Sequence, residues 1–242
     1  MHSLERPRFD CETRKQIYQY VERHGTAARH RTRSAVDVDP TAFRAELEWL
    51  LAEGYLEDDG GTLRVGLDPG SVEAHVADGF RYSIRPARQE DFESLVDTIR
   101  DVTAEETYVV AETVAERLLY EDTVTRHNAV ESRVFFVATV DGDVVGWTHL
   151  DLPQVDTQNA ARLTVGVRGE YRERGVGSQL LERALDWAAA NAYGKVYNSV
   201  PATNDEGLAF LESHGWETEG VRSDHYTIGD RLVDEVLMAY TL

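Results

Sequence analysis

One stretch constrains this chain more than any other. Leu163-Thr164-Val165-Gly166-Val167 has the β-branched, apolar character of a buried strand, and a few residues later Arg172-Glu173-Arg174-Gly175-Val176-Gly177-Ser178 opens a helix that carries Val176, Leu180, Ala184 and Trp187 along one face. The first N–H groups of such a helix have no partner within it, and they aim the positive end of the helix dipole at the turn. Gly175 and Gly177 have no side chain to keep a ligand from the backbone. Strand, loop and helix form one anion-binding device, and its size suits a pyrophosphate.

Two familiar devices of this kind do not fit. A Rossmann dinucleotide site needs a third glycine near Leu180 and an acidic residue at the end of the next strand, where Val200 stands. A Walker loop needs Gly-Lys-Ser/Thr, which is absent. The surroundings narrow the choice further. Arg81–Arg85 reads as a strand, and Asp91 to Glu105 as a helix with Phe92, Leu95, Val96 and Ile99 on one face. A second helix lies near Val114–Tyr120. Arg133–Val140 and Val144–Leu150 form a hairpin across Asp141-Gly142-Asp143. After the glycine loop come a helix to Gly194, a strand Val196–Val200, a helix from Thr203 to Gly215, and two strands, Glu219–Ile228 and Leu232–Thr241. The pattern predicts an α/β domain with a mixed sheet and antiparallel hairpins at both ends.

The loop matches Arg/Gln-x-x-Gly-x-Gly/Ala after a strand, and the order βααβββαβαββ surrounds it. In both respects the chain from about Arg81 to Leu242 resembles the GNAT superfamily of N-acetyltransferases. The resemblance implies the acyl-CoA N-acyltransferase fold over residues 79–242 and acetyl-CoA as acyl donor. It implies that the backbone of Val165, Gly166 and Val167 pairs with the pantetheine arm, and that Arg172, Glu173, Arg174, Gly175, Val176, Gly177 and Ser178 hold the pyrophosphate. Asn204 matches the asparagine of the family that touches the cofactor arm. The plainer role for Asn204 is in helix capping, since Thr203-Asn204-Asp205-Glu206 reads as a capping box with Thr203 as the cap. The implied reaction moves an acetyl group from the thioester to a primary amine of a small molecule or protein, with a backbone N–H of Val165–Val167 stabilising the oxyanion.

The proton-handling groups are not inherited. Many family members carry a tyrosine acid in Phe-Tyr-x-x-x-Gly-Phe, but here Phe210-Leu211-Glu212-Ser213-His214-Gly215-Trp216 puts Leu211 at that position. Another residue or a water is then the acid, or the thiolate leaves unassisted, or the domain binds acyl-CoA without catalysis. Ala160 and Ala161 stand where some relatives carry a glutamate base. His149 and Asp151, near the predicted acceptor side with Asp156, are the catalytic candidates, since histidine titrates near neutrality. His225 and Tyr226 are further options. The loops 104–112 and 152–159 are expected to meet the acceptor.

Residues 1–70 form a separate region. Glu12–His24 is an amphipathic helix stopped by Gly25, the arginine-rich stretch Arg29–Arg33 reads as a solvated turn or as a basic contact for DNA, and Asp39-Pro40 opens a helix with Phe43, Leu47, Leu50 and Leu51. Tyr55–Val65 makes two short strands around Gly60-Gly61, and Leu67–Ser71 is a linker. Helices followed by such a hairpin resemble a winged-helix domain. That raises an alternative function, a DNA-binding regulator whose second domain senses acyl-CoA without catalysis. Glu46, Glu48 and Glu53 against Arg44 on the would-be recognition helix favour an accessory role instead, because phosphate contact needs the opposite sign.

Composition bears on partners and location. With 44 acidic and 25 basic residues the net charge is −19, and Lys15 and Lys195 are the only lysines, a balance that resembles proteins of salt-accumulating halophiles. No apolar run is long enough to span a membrane and no secretory signal is present, so a soluble, cytoplasmic protein is expected, with no membrane partner. Cys11 is the sole cysteine and no histidine cluster has metal-ligand spacing, so no metal is expected. A homodimer is compatible with these features.

Overall fold

The computed structural model describes residues 9–66, 72–77, 79–104, 109–121, 123–124, 126–127, 131–153 and 159–242. The chain divides into two compact units.

The first unit holds α1 (Glu12–His24), β1 (Thr26–Ala28), α2 (Arg29–Ala35), α3 (Pro40–Ala52), β2 (Leu56–Asp59) and β3 (Thr62–Val65), with the strands in the order β1-β3-β2. Ile17, Val21, Leu47, Leu50, Leu56 and Leu63 form its core. Gly25 ends α1 at φ 72°, and Asp39 caps α3 by accepting from the Thr41 and Ala42 N–H groups ahead of Pro40. The stretch expected as a solvated turn is the helix α2. Its arginines are tolerable helix formers, and buried Thr32 fixes it by donating to Ala28 O. The expected linker, Leu67–Ser71, lies outside the described residues.

The second unit is built on a nine-stranded sheet whose main path runs β11-β12-β10-β9-β8-β7-β5-β4. Its strands are β4 (Glu73–Ala77), β5 (Phe80–Pro86), β7 (Glu131–Val140), β8 (Asp143–Pro153), β9 (Ala160–Val167), β10 (Lys195–Pro201), β11 (Glu217–Ile228) and β12 (Arg231–Thr241). A two-residue β6 (Arg126–His127) pairs with the start of β7 and groups with the first unit. β4 was not predicted. It pairs along β5 through Gly79, which turns the hairpin at φ 93°.

Helices α4 (Phe92–Thr103) and α5 (Val109–Glu121) bury Leu95, Val96, Ile99, Ala115 and Leu118 against Phe135, Val137 and Trp147 on one face of this sheet. Each such side chain contributes about 1.5–3 kcal/mol. α6 (Val176–Ala190) covers the opposite face, where Trp187 meets Phe136 edge-on and Leu180 lies over Gly146. α6 ends at Asn191, short of the expected Gly194. α7 (Asp205–Ser213) follows β10, and its cap is Asn204 rather than Thr203: Asn204 Oδ1 accepts the Gly207 N–H at 2.9 Å.

Candidate active site

Antiparallel pairing ties β9 to β8 from Gly146↔Val167 to Asp151↔Arg162. On its other side β9 pairs with β10, in parallel, only at Ala160↔Lys195, Ala161↔Val196 and Arg162↔Tyr197. From Leu163 and Asn198 onward the two strands part. The Arg168 N–H donates to Val145 O on β8. Successive backbone groups of a strand alternate sides, so the N–H groups of Val165 and Val167 point the other way, into the gap. An edge of unpaired backbone inside a sheet is a place for an extended ligand to add as a strand. Gly166 has a packing reason as well, for a Cβ there would meet the Trp147 indole at 3.1–3.3 Å.

The glycine loop stands at the end of this opened strand. Gly175, at φ 81°, is the N-cap position of α6, and among the described residues no side chain caps the helix. The first capping-type backbone bond is Gln179 N–H to Gly175 O, so the N–H groups of Val176, Gly177 and Ser178 precede it at the helix mouth. Gly175 has nothing within 4 Å of a would-be Cβ, so the positive φ is its requirement. Gly177 lacks a positive φ, and a Cβ there would make ordinary contacts with Phe210 and Val167 at 3.5–3.6 Å. The two arginines differ. Arg172 Nε donates back to Val167 O at 2.9 Å, bracing the loop on the strand. Exposed Arg174 lies over the Phe80 ring. Ser178 Oγ sits 2.9 Å from His214 Nε2, joining the first turn of α6 to the end of α7. Leu211 is buried on α7, in the core.

The cross-strand line Asp151–Arg162–Tyr197–Ala239 defines which residues share a face. Trp147, His149 and Asp151 of β8, Thr164 of β9, Ser199 of β10 and Val233, Glu235 and Leu237 of β12 all lie on the face that α4 and α5 cover. The predicted pair comes together there. His149, 3% exposed, stacks on Phe135, and its Nε2 is 3.4 Å from Asp151 Oδ1. Arg117 of α5 reaches both Asp151 oxygens at 3.3 Å. β9 stands between this group and the gap. Asp156 and most of the expected acceptor loops lie outside the described residues.

A second group stands on the far wall, where sequence reasoning named Tyr226 and His225 but missed Glu235. Tyr226 donates to Glu235 Oε1 at 3.0 Å and lies close to Ser199 of β10. Burial, then the Glu235 carboxylate, push the Tyr226 phenol above its ordinary value. The signal was in β12, where period-two alternation sets Glu235 on the same buried side as Val233.

A mixed sheet parted along its β9–β10 pair, with the start of α6 at the end of the parted strand, frames the candidate site. The chain shares its fold with an acetyltransferase of the GNAT family from Streptococcus pneumoniae (TM-score 0.55, 21% identity, 66% of this chain and 99% of that one). The ribosomal-protein-alanine N-acetyltransferase from Brucella melitensis is similar (TM-score 0.51, 22% identity, 66% and 99%). So is Mycobacterium smegmatis RimJ, solved in complex with CoA-disulfide (TM-score 0.55, 18% identity, 72% and 88%). The model of the acetyltransferase (GNAT) family matches residues 96–216, half of the chain, and the protein belongs to that family.

Proposed function

We propose that this protein is an acetyl-CoA-dependent N-acetyltransferase that acetylates a primary amine. The observation that carries the reading is the parting of β9 from β10 beyond Arg162 and Tyr197, in line with the start of α6. The pantetheine arm lies along Val165, Gly166 and Val167, and the pyrophosphate lies on the N–H groups of Val176, Gly177 and Ser178 with Glu173, Gly175 and the Arg172–Arg174 arginines around it. Asn204, at the head of α7, faces the arm. Val165 or Val167 N–H stabilises the oxyanion as the amine attacks. The His149–Asp151 pair takes part from behind Thr164. The first unit, in the order α1-β1-α2-α3-β2-β3, is a winged-helix-like accessory module, and Glu48 on the exposed side of α3 supports that role over DNA binding. The acidic, lysine-poor surface suits work in concentrated salt inside a cell.

The test is CoA release from acetyl-CoA with a panel of amines in concentrated KCl: a peptide with N-terminal alanine, phosphinothricin, lysine ethyl ester and spermidine. Amine-dependent release with a product 42 Da heavier supports the reading. Binding of acetyl-CoA with no transfer to any of them refutes it.

A further inference from the structure

Glu235 is a carboxylate in a place that packing alone does not explain. It is 3% exposed, on the strand next to the sheet's β11 edge, between apolar Val233 and Leu237 on the same face. Burying an ionised carboxylate costs free energy unless its oxygens are satisfied. Only one of them accepts a hydrogen bond. Oε1 accepts from Tyr226, whereas Oε2, shielded from solvent, has no hydrogen bond among the described residues. The Arg222 Nη1 lies 2.9 Å from Oε2 but without hydrogen-bond alignment, and the Arg222 side chain is largely exposed. His225 Nε2 is farther, at 3.7 Å.

Its position matters as much. Glu235 is paired with Pro201, at the end of β10, and Tyr226 reaches from β11 to Ser199 two residues earlier. Both β10 residues belong to the part of that strand no longer paired with β9. The carboxylate therefore lies one strand spacing, about 4.8 Å, behind the wall of the gap. It is also on the α4–α5 face, opposite the face that α6 covers. Tyr226, Arg222 and His225 of β11 and Ser199 of β10 are the polar groups around it. α5, which packs over β9 and β10, presents Arg117 toward Asp151.

We propose that Glu235 is the general base of the transfer, binding the acceptor's ammonium at Oε2 and taking its proton, with Tyr226 as the positioning residue; this rests on the transferase reading above. One proton of the ammonium passes to Oε2 and on to solvent. The neutral nitrogen bonds to the thioester carbonyl carbon. The C–S bond then breaks, a second proton leaves the nitrogen with the departing sulfur as the thiol, and the third stays on the amide. The acceptor class follows: an amine that is cationic when it binds.

The experiment compares wild type, E235Q, E235A and Y226F in CoA release with the most active amine of the panel, alongside acetyl-CoA affinity by calorimetry and melting curves. E235Q, which keeps the volume, should lose about 10²-fold in kcat/KM for the amine while acetyl-CoA affinity stays within about twofold. Sodium formate should restore part of the activity of E235A, an effect that a purely structural carboxylate does not give. Y226F, losing one hydroxyl, should fall less than E235Q. Wild-type rates in E235Q, or an E235A that formate leaves unrescued, overturn the assignment. A wild type that binds acetyl-CoA and acetylates none of the amines overturns the transferase reading itself.

Discussion

Gly177 separates the role of the helix start from its fold. Its φ is not positive, and a Cβ would find its nearest neighbours, Phe210 and Val167, at ordinary contact distance of 3.5–3.6 Å. Gly177→Ala should therefore fold and bind acetyl-CoA nearly as wild type. Gly177→Glu places a carboxylate beside the N–H groups where the pyrophosphate lies. At about 5 Å, two like charges repel by roughly 1 kcal/mol in a water-like dielectric and about 3 kcal/mol at an effective dielectric of 20. That corresponds to roughly 5- to 150-fold weaker binding per phosphate charge. Gly177→Gln supplies the same bulk without the charge. Calorimetric titration with acetyl-CoA at low salt and in 1 M KCl resolves the two parts, since the screening length falls from about 10 Å at 0.1 M to about 3 Å at 1 M. The excess loss of Glu over Gln should shrink in 1 M KCl. Equal losses in Ala, Gln and Glu, or wild-type affinity in Glu, would refute the reasoning.

Other consequences can be measured independently. Gly175→Ala, at φ 81° with open space around it, should cost about 1–2 kcal/mol from backbone strain alone, read from denaturant midpoints. Asn204→Ala should cost about 1 kcal/mol by removing the cap of α7, whereas Asn204→Asp should retain the cap and stability but weaken acetyl-CoA binding. Burial works to raise the Asp91 pKa, but the paired bonds from Arg85 at 2.6 and 2.7 Å and the Arg88 N–H outweigh it and hold Asp91 below its ordinary value. A depressed folded-state pKa means stability present above about pH 4 and lost as pH falls through the lower folded value. Asp91→Asn should remove that part of the acid sensitivity and destabilise by about 3 kcal/mol, seen in urea melts at pH 7 and pH 3. Short duplex DNA should show no salt-dependent binding to the protein in anisotropy titrations.

Much of the fold was legible because the signals are local. Alternation marked β7, β8 and β12, the α4 stripe of Leu95, Val96 and Ile99 marked its buried face, and the glycine loop marked the start of α6. α2 was missed because Arg29–Arg33 shows charge and no apolar stripe, its anchor being one buried threonine. Thr203 and Asn204 are both good caps, and only the tertiary path of the chain after Pro201 chooses between them. The parting of β9 and β10 has no sequence code, since it depends on where pairing stops, not on what either strand contains. Glu235 was visible as a carboxylate in an apolar register, but its link to Tyr226 and Ser199 crosses three strands. His149 and Asp151 were found as neighbours. Their tie to Arg117, from a helix some thirty residues earlier, was not.

Amide hydrogen exchange with and without acetyl-CoA tests the central claim most directly, because the claim names individual N–H groups. The account predicts that the cofactor slows exchange at Val165 and Val167 on the opened edge of β9 and at Val176, Gly177 and Ser178 at the start of α6, with the remote strands β4 and β5 unchanged. Unaltered exchange at these five amides under saturating acetyl-CoA would contradict it.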